Sequence, residues 1–278
     1  MAQGKLYRLS AFADGGVGGN PAGVWIGEQL PDAATMQAIA ADVGYSETAF
    51  IAPTSGRDRT VRYYSPEAEV SFCGHATIAS GVVLGRENGE GTYTLSSAVG
   101  KVTVSAARRA GQMQASLVSV DTRHEPASAE LQQAVLSALH WSGDDLDQSI
   151  PPVKAYAGAW HLVLAANSQE RLADLDYDFE TLKSIMLREN LTTLQLICRE
   201  NDSLIHARNP FPVGGVVEDP ATGAAAAALG GYLRDSGLRS APFSFTIRQG
   251  VTMGRPSVLS VDVPAEGGVM VSGSAIDI

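Results

Sequence analysis

The sequence predicts an α+β protein of two similar halves, each an antiparallel β-sheet rolled around a central α-helix. A glycine turn followed by an apolar helix occurs twice, at Cys73-Gly74-His75 before residues 78–84 and at Thr222-Gly223 before residues 224–229. Short segments rich in β-branched residues and joined by glycine turns indicate antiparallel strands. Residues 223–234 are apolar nearly all round, and such a helix must be enclosed.

The predicted elements follow this scheme along the chain. A helix begins near Pro31, has apolar residues at helical spacing and ends at Gly44, which suits a C-cap. The composition turns polar and acidic between residues 122 and 152, which indicates an interdomain linker with a surface helix. We therefore expect domains at 1–122 and 123–278, with the last strand free to return to the first half. Predicted strands cover 49–52, 59–64, 92–95, 101–104, 160–165, 193–198, 203–207, 244–248 and 258–263.

Composition and charge narrow the class of protein. The chain has 278 residues, 45% of them hydrophobic, which is enough for a full core. Twenty basic residues stand against 30 acidic ones, giving a net charge of −10 without a basic cluster. Nucleic acid and anionic membranes are therefore poor partner candidates. No signal-peptide core or membrane-length apolar run is present, so we expect a soluble, cytoplasmic protein.

The sequence gives no positive sign of a cofactor or a metal. Its two cysteines, Cys73 and Cys198, cannot form a disulfide framework, and the five histidines show no zinc-ligand spacing. The glycine-rich segment 15–19 lacks a following helix and ends in Asn-Pro, a turn signal. Neither dinucleotide-binding nor P-loop fingerprints occur. We expect an activity that needs no cofactor.

Three polar residues near the two glycine turns are candidates for catalysis. Glu47 follows a helix end and precedes an apolar strand, where a carboxylate partly shielded from water would suit a general base. His75 and Asp219 lie beside the two helix starts, whose free amides could hold a substrate carboxylate. On local sequence alone, a glutamate at such a position usually faces water, and the two glycines serve equally well in tight turns.

Five motifs together resemble the phenazine-biosynthesis isomerase (PhzF-like) family. They occur in the family's order and span nearly the whole chain. The motifs are Asn20-Pro21-Ala22-Gly23-Val24, Ser46-Glu47-Thr48-Ala49-Phe50, Phe72-Cys73-Gly74-His75-Ala76-Thr77, Glu218-Asp219-Pro220-Ala221-Thr222-Gly223, and Gln249-Gly250 with Met253-Gly254-Arg255-Pro256-Ser257.

This resemblance implies the diaminopimelate-epimerase-like fold, with the active site in the cleft between the two domains. It also implies a role for each matching residue. Glu47 is the acid/base that moves a proton between substrate carbons, and His75 and Asp219 orient the substrate and assist. Gly74 and Gly223 present backbone amides to its carboxylate. Asn20, Cys73 and Ala224 complete the substrate-binding candidates.

Two departures from the family pattern bear on the substrate and the chemistry. Ala224 stands where the phenazine enzyme's motif has serine, so one substrate-binding hydroxyl is missing. Related racemases use a cysteine from each half; Cys73 matches the first, but Pro220 occupies the place of the second.

We expect an isomerase acting on a small cyclic or unsaturated carboxylate, similar to trans-2,3-dihydro-3-hydroxyanthranilate isomerase. A racemase or epimerase using Glu47 and Cys73, and a non-catalytic carboxylate-binding or interaction protein, are the alternatives. By resemblance to many relatives, we expect a homodimer.

Overall fold

The chain forms two compact units in the computed structural model, which describes residues 3–98 and 100–278. Unit 1 comprises Met1–Val118 and Ser272–Ile278, and unit 2 comprises Ser119–Val271. The strands are β1 (Gly4–Ala11), β2 (Asn20–Gly27), β3 (Glu47–Ser55), β4 (Asp58–Tyr64), β5 (Glu69–Val70), β6 (Gly91–Ser97), β7 (Gly100–Arg109), β8 (Gln112–Val118), β9 (Arg123–Pro126), β10 (Val153–Tyr156), β11 (Trp160–Ala165), β12 (Thr193–Asn201), β13 (Leu204–Phe211), β14 (Val216–Asp219), β15 (Phe243–Gln249), β16 (Ser257–Val263) and β17 (Met270–Asp277). The α-helices are α1 (Ala33–Val43), α2 (Gly74–Asn88), α3 (Ala129–Ala138), α4 (Gln169–Ala173), α5 (Phe179–Arg188) and α6 (Gly223–Asp235).

The sheet of unit 1 closes around helix α2. Its strands pair in the order β17-β1-β2-β3-β4-β6-β7-β8, and β17 also pairs with β8. Helix α2 contacts β1, β2, β3, β6, β7 and β8, and every residue from His75 to Gly85 is buried. The central helix of unit 1 is thus enclosed by strands.

Unit 2 uses the same order of elements. Its strands pair in the order β9-β10-β11-β12-β13-β15-β16, and the short strand β14 pairs with β13. Helix α6 contacts β9, β10, β11 and β16, and its residues from Ala225 to Leu233 are buried. In both units a short strand leads directly into the central helix, at Gly74 in α2 and Gly223 in α6.

The prediction of purely antiparallel sheets is wrong. Strands β2 and β3, β4 and β6, β11 and β12, and β13 and β15 pair in parallel. A helical connection lies between the members of each parallel pair: α1, α2, α4 with α5, and α6. Such a crossover carries the chain back along the sheet before the next strand starts, so the two strands run in the same direction. Each unit therefore contains a mixed sheet.

The segment between residues 122 and 152 is part of unit 2 rather than a linker, although it contains the predicted surface helix, α3. Strand β9 pairs along its full length with β10, inside unit 2. Helix α3 packs on α5 and buries Leu131, Val135 and Ala138 in a core cluster. The polar composition of this segment reflects the exposed face of α3, whereas its apolar residues fall on the buried face.

Helix α1 matches its predicted position. Asp32 caps its first turn by accepting a hydrogen bond of 2.9 Å from the Thr35 amide. Gly44 ends it with a φ of 70°, a left-handed conformation that glycine adopts without steric cost. Within the part of the chain that the structure describes, no helix is both long enough and apolar enough to cross a membrane.

Candidate active site

The carboxylate of Glu47 is held at the start of β3. After the left-handed turn at Gly44, the chain enters the sheet of unit 1, where Glu47 lies opposite Ala22 in the parallel ladder with β2. The neighbours that follow on β3, from Thr48 to Ala52, are buried. The Glu47 side chain is 22% exposed, so its backbone is fixed while its carboxylate reaches the surface of the unit.

Cys73 and His75 are placed by the start of α2. Cys73 is the extended residue before the helix, and its carbonyl accepts hydrogen bonds from the Thr77 amide (3.0 Å) and hydroxyl (2.7 Å). The Tyr63 hydroxyl in turn contacts the Thr77 hydroxyl at 2.7 Å. With the helix start held by these hydrogen bonds, the Cys73 sulfur lies 3.3 Å from Nδ1 of His75.

These two segments bring three predicted site residues together within unit 1. Nε2 of His75 lies 3.4 Å from a carboxylate oxygen of Glu47 and 3.4 Å from the hydroxyl of Ser46. One Glu47 oxygen, the Cys73 sulfur and a His75 ring nitrogen all lie within 4.8 Å of one another. We call Ser46, Glu47, Cys73 and His75 the β3–α2 cluster. An imidazole in this position can stabilise a carboxylate or exchange a proton with it.

Asn20 and Gly74 lie on the elements that carry this cluster. Asn20 is the first residue of β2, two positions before the partner of Glu47, and is buried. Gly74 is the first residue of α2, and a Cβ atom added there would meet no heavy atom within 4 Å. The backbone at this helix start is therefore open to approach by a ligand.

Asp219 belongs to a separate polar group in unit 2. It is the last residue of β14, and its carboxylate accepts a hydrogen bond of 2.5 Å from the Thr222 hydroxyl. The buried Gln249 donates from Nε2 to the Asp219 carbonyl (2.7 Å) and to the Thr222 hydroxyl (3.1 Å), and accepts from the Thr222 amide (3.3 Å). Gln249 thus fixes the turn between β14 and α6.

Strand β14 is further anchored by a shielded ion pair. The Arg208 guanidinium donates to both carboxylate oxygens of Glu218, at 3.1 and 2.7 Å. The Tyr177 hydroxyl donates to the carbonyl of Val217 at 2.5 Å, and burial raises the pKa of Tyr177 to about 12, so it stays a donor at neutral pH. Bidentate arginine pairing fixes orientation as well as position. The residue before Asp219 is therefore immobilised.

Gly223 and Ala224 form the start of α6. The Thr222 side chain binds Asp219 and Gln249 rather than capping the helix. Gly223 and Ala224 are half-buried, and the methyl of Ala224 offers no hydrogen bond. The structure thus places the predicted residues in two groups, Glu47, Cys73 and His75 in unit 1 and Asp219, Gly223 and Ala224 in unit 2.

Sequence reasoning gave no individual role to Ser46, Gln249 or the Arg208–Glu218 pair. Ser46 directly precedes Glu47, and Gln249 begins the last of the five family motifs, so the sequence could have indicated both as site candidates. Their contacts join residues that are remote in sequence, Ser46 to His75 and Gln249 to Thr222, and no local pattern encodes such partners.

Comparison with known proteins identifies the family. The family described as phenazine biosynthesis-like protein matches residues 9–278. The chain belongs to this family. A relative of this chain is the uncharacterized isomerase YfhB of Bacillus subtilis, which is 27% identical over 99% of this chain and 97% of the relative.

Solved structures support the same assignment. A predicted epimerase from Pseudomonas aeruginosa is 25% identical and superposes with a TM-score of 0.85 over 99% of this chain and 97% of the other. A Bacillus anthracis protein of the PhzF family gives a TM-score of 0.86 at 21% identity over 98% and 96% of the two chains, which shows the shared fold. The predicted family and the enzyme class, isomerase, are confirmed.

Proposed function

We propose that this phenazine biosynthesis-like protein is a cofactor-independent isomerase that moves a proton between two carbons of a small cyclic or unsaturated carboxylate, with Glu47 as the general acid/base. The observation that carries this proposal is the β3–α2 cluster, in which a partly exposed carboxylate lies 3.4 Å from an imidazole. A general base must reach the proton it removes, and the 22% exposure of Glu47 allows that.

A single carboxylate suffices for the proposed reaction. Glu47 takes a proton from one carbon, the substrate holds the electron pair in its conjugated system, and Glu47 returns the proton to a second carbon on the same face. His75 stabilises the charge that develops beside Glu47. The open helix start at Gly74 supplies amide groups for the substrate carboxylate. Asn20, at the start of β2, binds and orients the substrate in this reaction, and the substrate-binding roles of Asp219 and Gly223 stay predictions from the family resemblance.

The geometry favours this reaction over a racemase that uses Glu47 and Cys73 as opposed bases. Each of two opposed bases must approach the reacting carbon to about 3–3.5 Å, so the two reactive atoms would lie about 6–7 Å apart. One Glu47 oxygen and the Cys73 sulfur are within 4.8 Å of each other, which is shorter than this separation. Cys73 therefore serves as a partner of His75 rather than as a second base.

The decisive experiment is proton NMR in deuterated water with trans-2,3-dihydro-3-hydroxyanthranilate as the probe. We expect turnover by the wild-type protein and a loss of about 10²–10⁴-fold in Glu47→Gln, because the amide cannot accept the proton. Glu67→Gln removes an exposed carboxylate of the same unit and should leave turnover unchanged. Wild-type activity in Glu47→Gln would overturn the assignment.

The same measurement discriminates the alternatives. Transfer within the substrate, with little deuterium entering, supports one base, whereas deuterium at an inverted carbon supports two opposed bases. The Ala224→Ser variant restores a hydroxyl for binding this probe. We expect it to turn over the probe about 5- to 150-fold faster, because a buried partner left without its hydrogen bond costs about 1–3 kcal/mol. Binding of the probe without turnover in every variant would support a non-catalytic binding protein. The homodimer and the cytoplasmic location stay predictions.

A further inference from the structure

The β3–α2 cluster presents three different metal-ligating groups at one point. Cys73 offers a thiolate, His75 an imidazole and Glu47 a carboxylate, and one atom of each lies within 4.8 Å of the others. Thiolate, imidazole and carboxylate are the groups that bind zinc in proteins. Cys73 and His75 are separated by one residue, but Glu47 lies on another element, so the spacing in the sequence does not reveal the set.

Two of the distances within the cluster are close to the edges of a zinc coordination sphere. Bonds of about 2.0–2.2 Å to nitrogen and oxygen and about 2.3 Å to sulfur, at tetrahedral angles, place nitrogen about 3.4 Å from oxygen and about 3.6 Å from sulfur. Nε2 of His75 is 3.4 Å from Oε2 of Glu47 and 3.8 Å from the Cys73 sulfur. The Cys73 sulfur lies nearer to Nδ1, at 3.3 Å, and the three ligand atoms are all within 4.8 Å of one another, so rotation of the Cys73 and His75 side chains would bring one atom of each residue onto one ion.

The surroundings leave room for an ion and shield it. Cys73 and His75 are buried, whereas the Glu47 carboxylate is partly exposed and provides a route of entry. A Cβ added at Gly74, between the two buried ligands, would meet no heavy atom within 4 Å. The backbone between the two buried ligands is therefore uncrowded, and a water molecule would complete the coordination, as in zinc sites with three protein ligands.

We propose that Glu47, Cys73 and His75 bind one Zn²⁺ ion per chain and that this ion inhibits the enzyme reversibly. When the sulfur coordinates, the thiol proton passes to solvent, and the ion takes the lone pairs that Glu47 and His75 otherwise use. A coordinated Glu47 cannot accept a substrate proton. The inhibitory half of this inference rests on the proposed function, whereas the binding half does not.

Metal binding is tested on the full chain after treatment with a chelator. Isothermal titration with Zn²⁺ should give one site per chain, and Cys73→Ser and His75→Gln should weaken it more than the about 10- to 100-fold that loss of an outer contact costs. Two matched controls should bind as the wild type does. Cys198→Ser removes the cysteine of unit 2, and His206→Gln removes the histidine of an exposed pair with Glu200.

Cobalt binding identifies the sulfur ligand directly. A merely structural role of Cys73 would not produce a sulfur-to-metal absorption band. Co²⁺ bound to wild-type protein should show a sulfur-to-metal absorption band, and the band should be absent from Cys73→Ser even when that variant is folded and binds weakly. No stoichiometric Zn²⁺ binding by the wild type, or unchanged affinity in Cys73→Ser, would overturn the metal site.

Turnover measurements keep the two proposals separable. With the NMR probe, Zn²⁺ should abolish wild-type activity and chelator should restore it. Stoichiometric zinc binding by a protein without isomerase activity supports the site and contradicts the proposed function. Full isomerase activity in the presence of saturating zinc contradicts the inhibition.

Discussion

At the scale of single residues, His161 lies in a buried polar network of unit 2. Its Nδ1 is 2.8 Å from the hydroxyl of Thr193, which also accepts a hydrogen bond of 3.2 Å from Asn209. Because this hydroxyl accepts from Asn209, it can donate its own hydrogen to Nδ1, which suits a neutral imidazole. Asn209 lies opposite Asp219 in the β13–β14 ladder, so the network adjoins the Asp219 turn.

The buried imidazole predicts a pH dependence of stability. Complete burial lowers the pKa of His161 to about 3, from a usual value of 6.5. Between these values the unfolded chain binds a proton that the folded chain does not, so this contribution to stability is complete above pH 6.5 and is lost as the pH falls toward 3. Where the difference in bound protons is one, the free energy of unfolding changes by about 1.4 kcal/mol per pH unit. Urea unfolding between pH 7.5 and 4.5 measures it.

A variant that cannot titrate isolates this contribution. His161→Asn keeps a polar partner for Thr193 and carries no proton that changes in this range, so its free energy of unfolding should fall less steeply below pH 6.5 than that of the wild type. Equal slopes for the two proteins would show that His161 does not lower stability in acid.

The residues of the β3–α2 cluster show what a sequence can and cannot predict at this scale. Cys73 and His75 are two positions apart at a helix start, so their proximity follows from local geometry. Glu47 reaches His75 only because β3 starts beside β2 in a parallel ladder. Its role could be predicted from family resemblance, but its distance to His75 depends on tertiary structure.

At the scale of elements, the packing of α2 depends on glycines that face the sheet. A Cβ added at Gly81 would lie 2.6 Å from a methyl of Val104 and 2.7 Å from the Cβ of Ala115. Gly85 meets Ala106 and Met113 in the same way. These glycines let the helix approach β7 and β8 closely, at some cost in helix propensity.

Gly81→Ala should destabilise the protein although alanine favours helices. The gain in propensity is about 1 kcal/mol, whereas overpacking a rigid core costs about 1–3 kcal/mol. Val104 and Ala115 contribute a branched side chain and a Cβ fixed to the backbone, which cannot swing away, so we expect the overpacking to prevail. Chemical denaturation with a single transition midpoint measures the change.

Gly74→Ala is the matched control, since it makes the same substitution in the same helix. No heavy atom lies within 4 Å of the added Cβ, so the stability should be unchanged or slightly increased. A Gly81→Ala protein as stable as Gly74→Ala would contradict the close approach of α2 to the sheet.

The enclosure of α6 could be predicted because a helix that is apolar on nearly every face has to be surrounded, and α2 could be predicted as its counterpart from the repeated glycine turn. The direction of the strands could not be predicted from the sequence. The same alternation of residues occurs in parallel and antiparallel strands, and the direction of β3 depends on where α1 ends relative to β2.

At the scale of the whole molecule, unit 1 is completed by residues that follow unit 2 in the chain. Strand β17 pairs with β1, with Ala275 opposite Ala11 and Asp277 opposite Leu9. Arg86 of α2 binds the Asp277 carboxylate at 3.1 Å and the Ala275 carbonyl at 2.8 Å. Sequence reasoning allowed for such a return but could not give its partners, because the contacts join opposite ends of the chain.

Removing residues 272–278 should therefore unfold unit 1 while unit 2 keeps its structure. The deletion strips the edge of β1, leaves the Phe12 amide without the carbonyl of Ser274 (2.7 Å) and removes the buried Ala275. The deletion leaves backbone groups unpaired and removes apolar contacts at the same time. Both effects destabilise a unit whose sheet is closed by this strand. Hydrogen exchange followed by mass spectrometry should show lost protection in peptides from β1, β8 and α2.

Peptides from β12 and α6 provide the internal control, since they belong to unit 2 and should retain their protection. Deleting Ile278 alone supplies a second control, because that exposed residue contributes a single backbone hydrogen bond to Arg8. Equal loss of protection in both units would mean that they unfold as one cooperative body. Unchanged protection in β1 would mean that the sheet of unit 1 is stable without its last strand, and the closure around α2 would then contribute little to its fold.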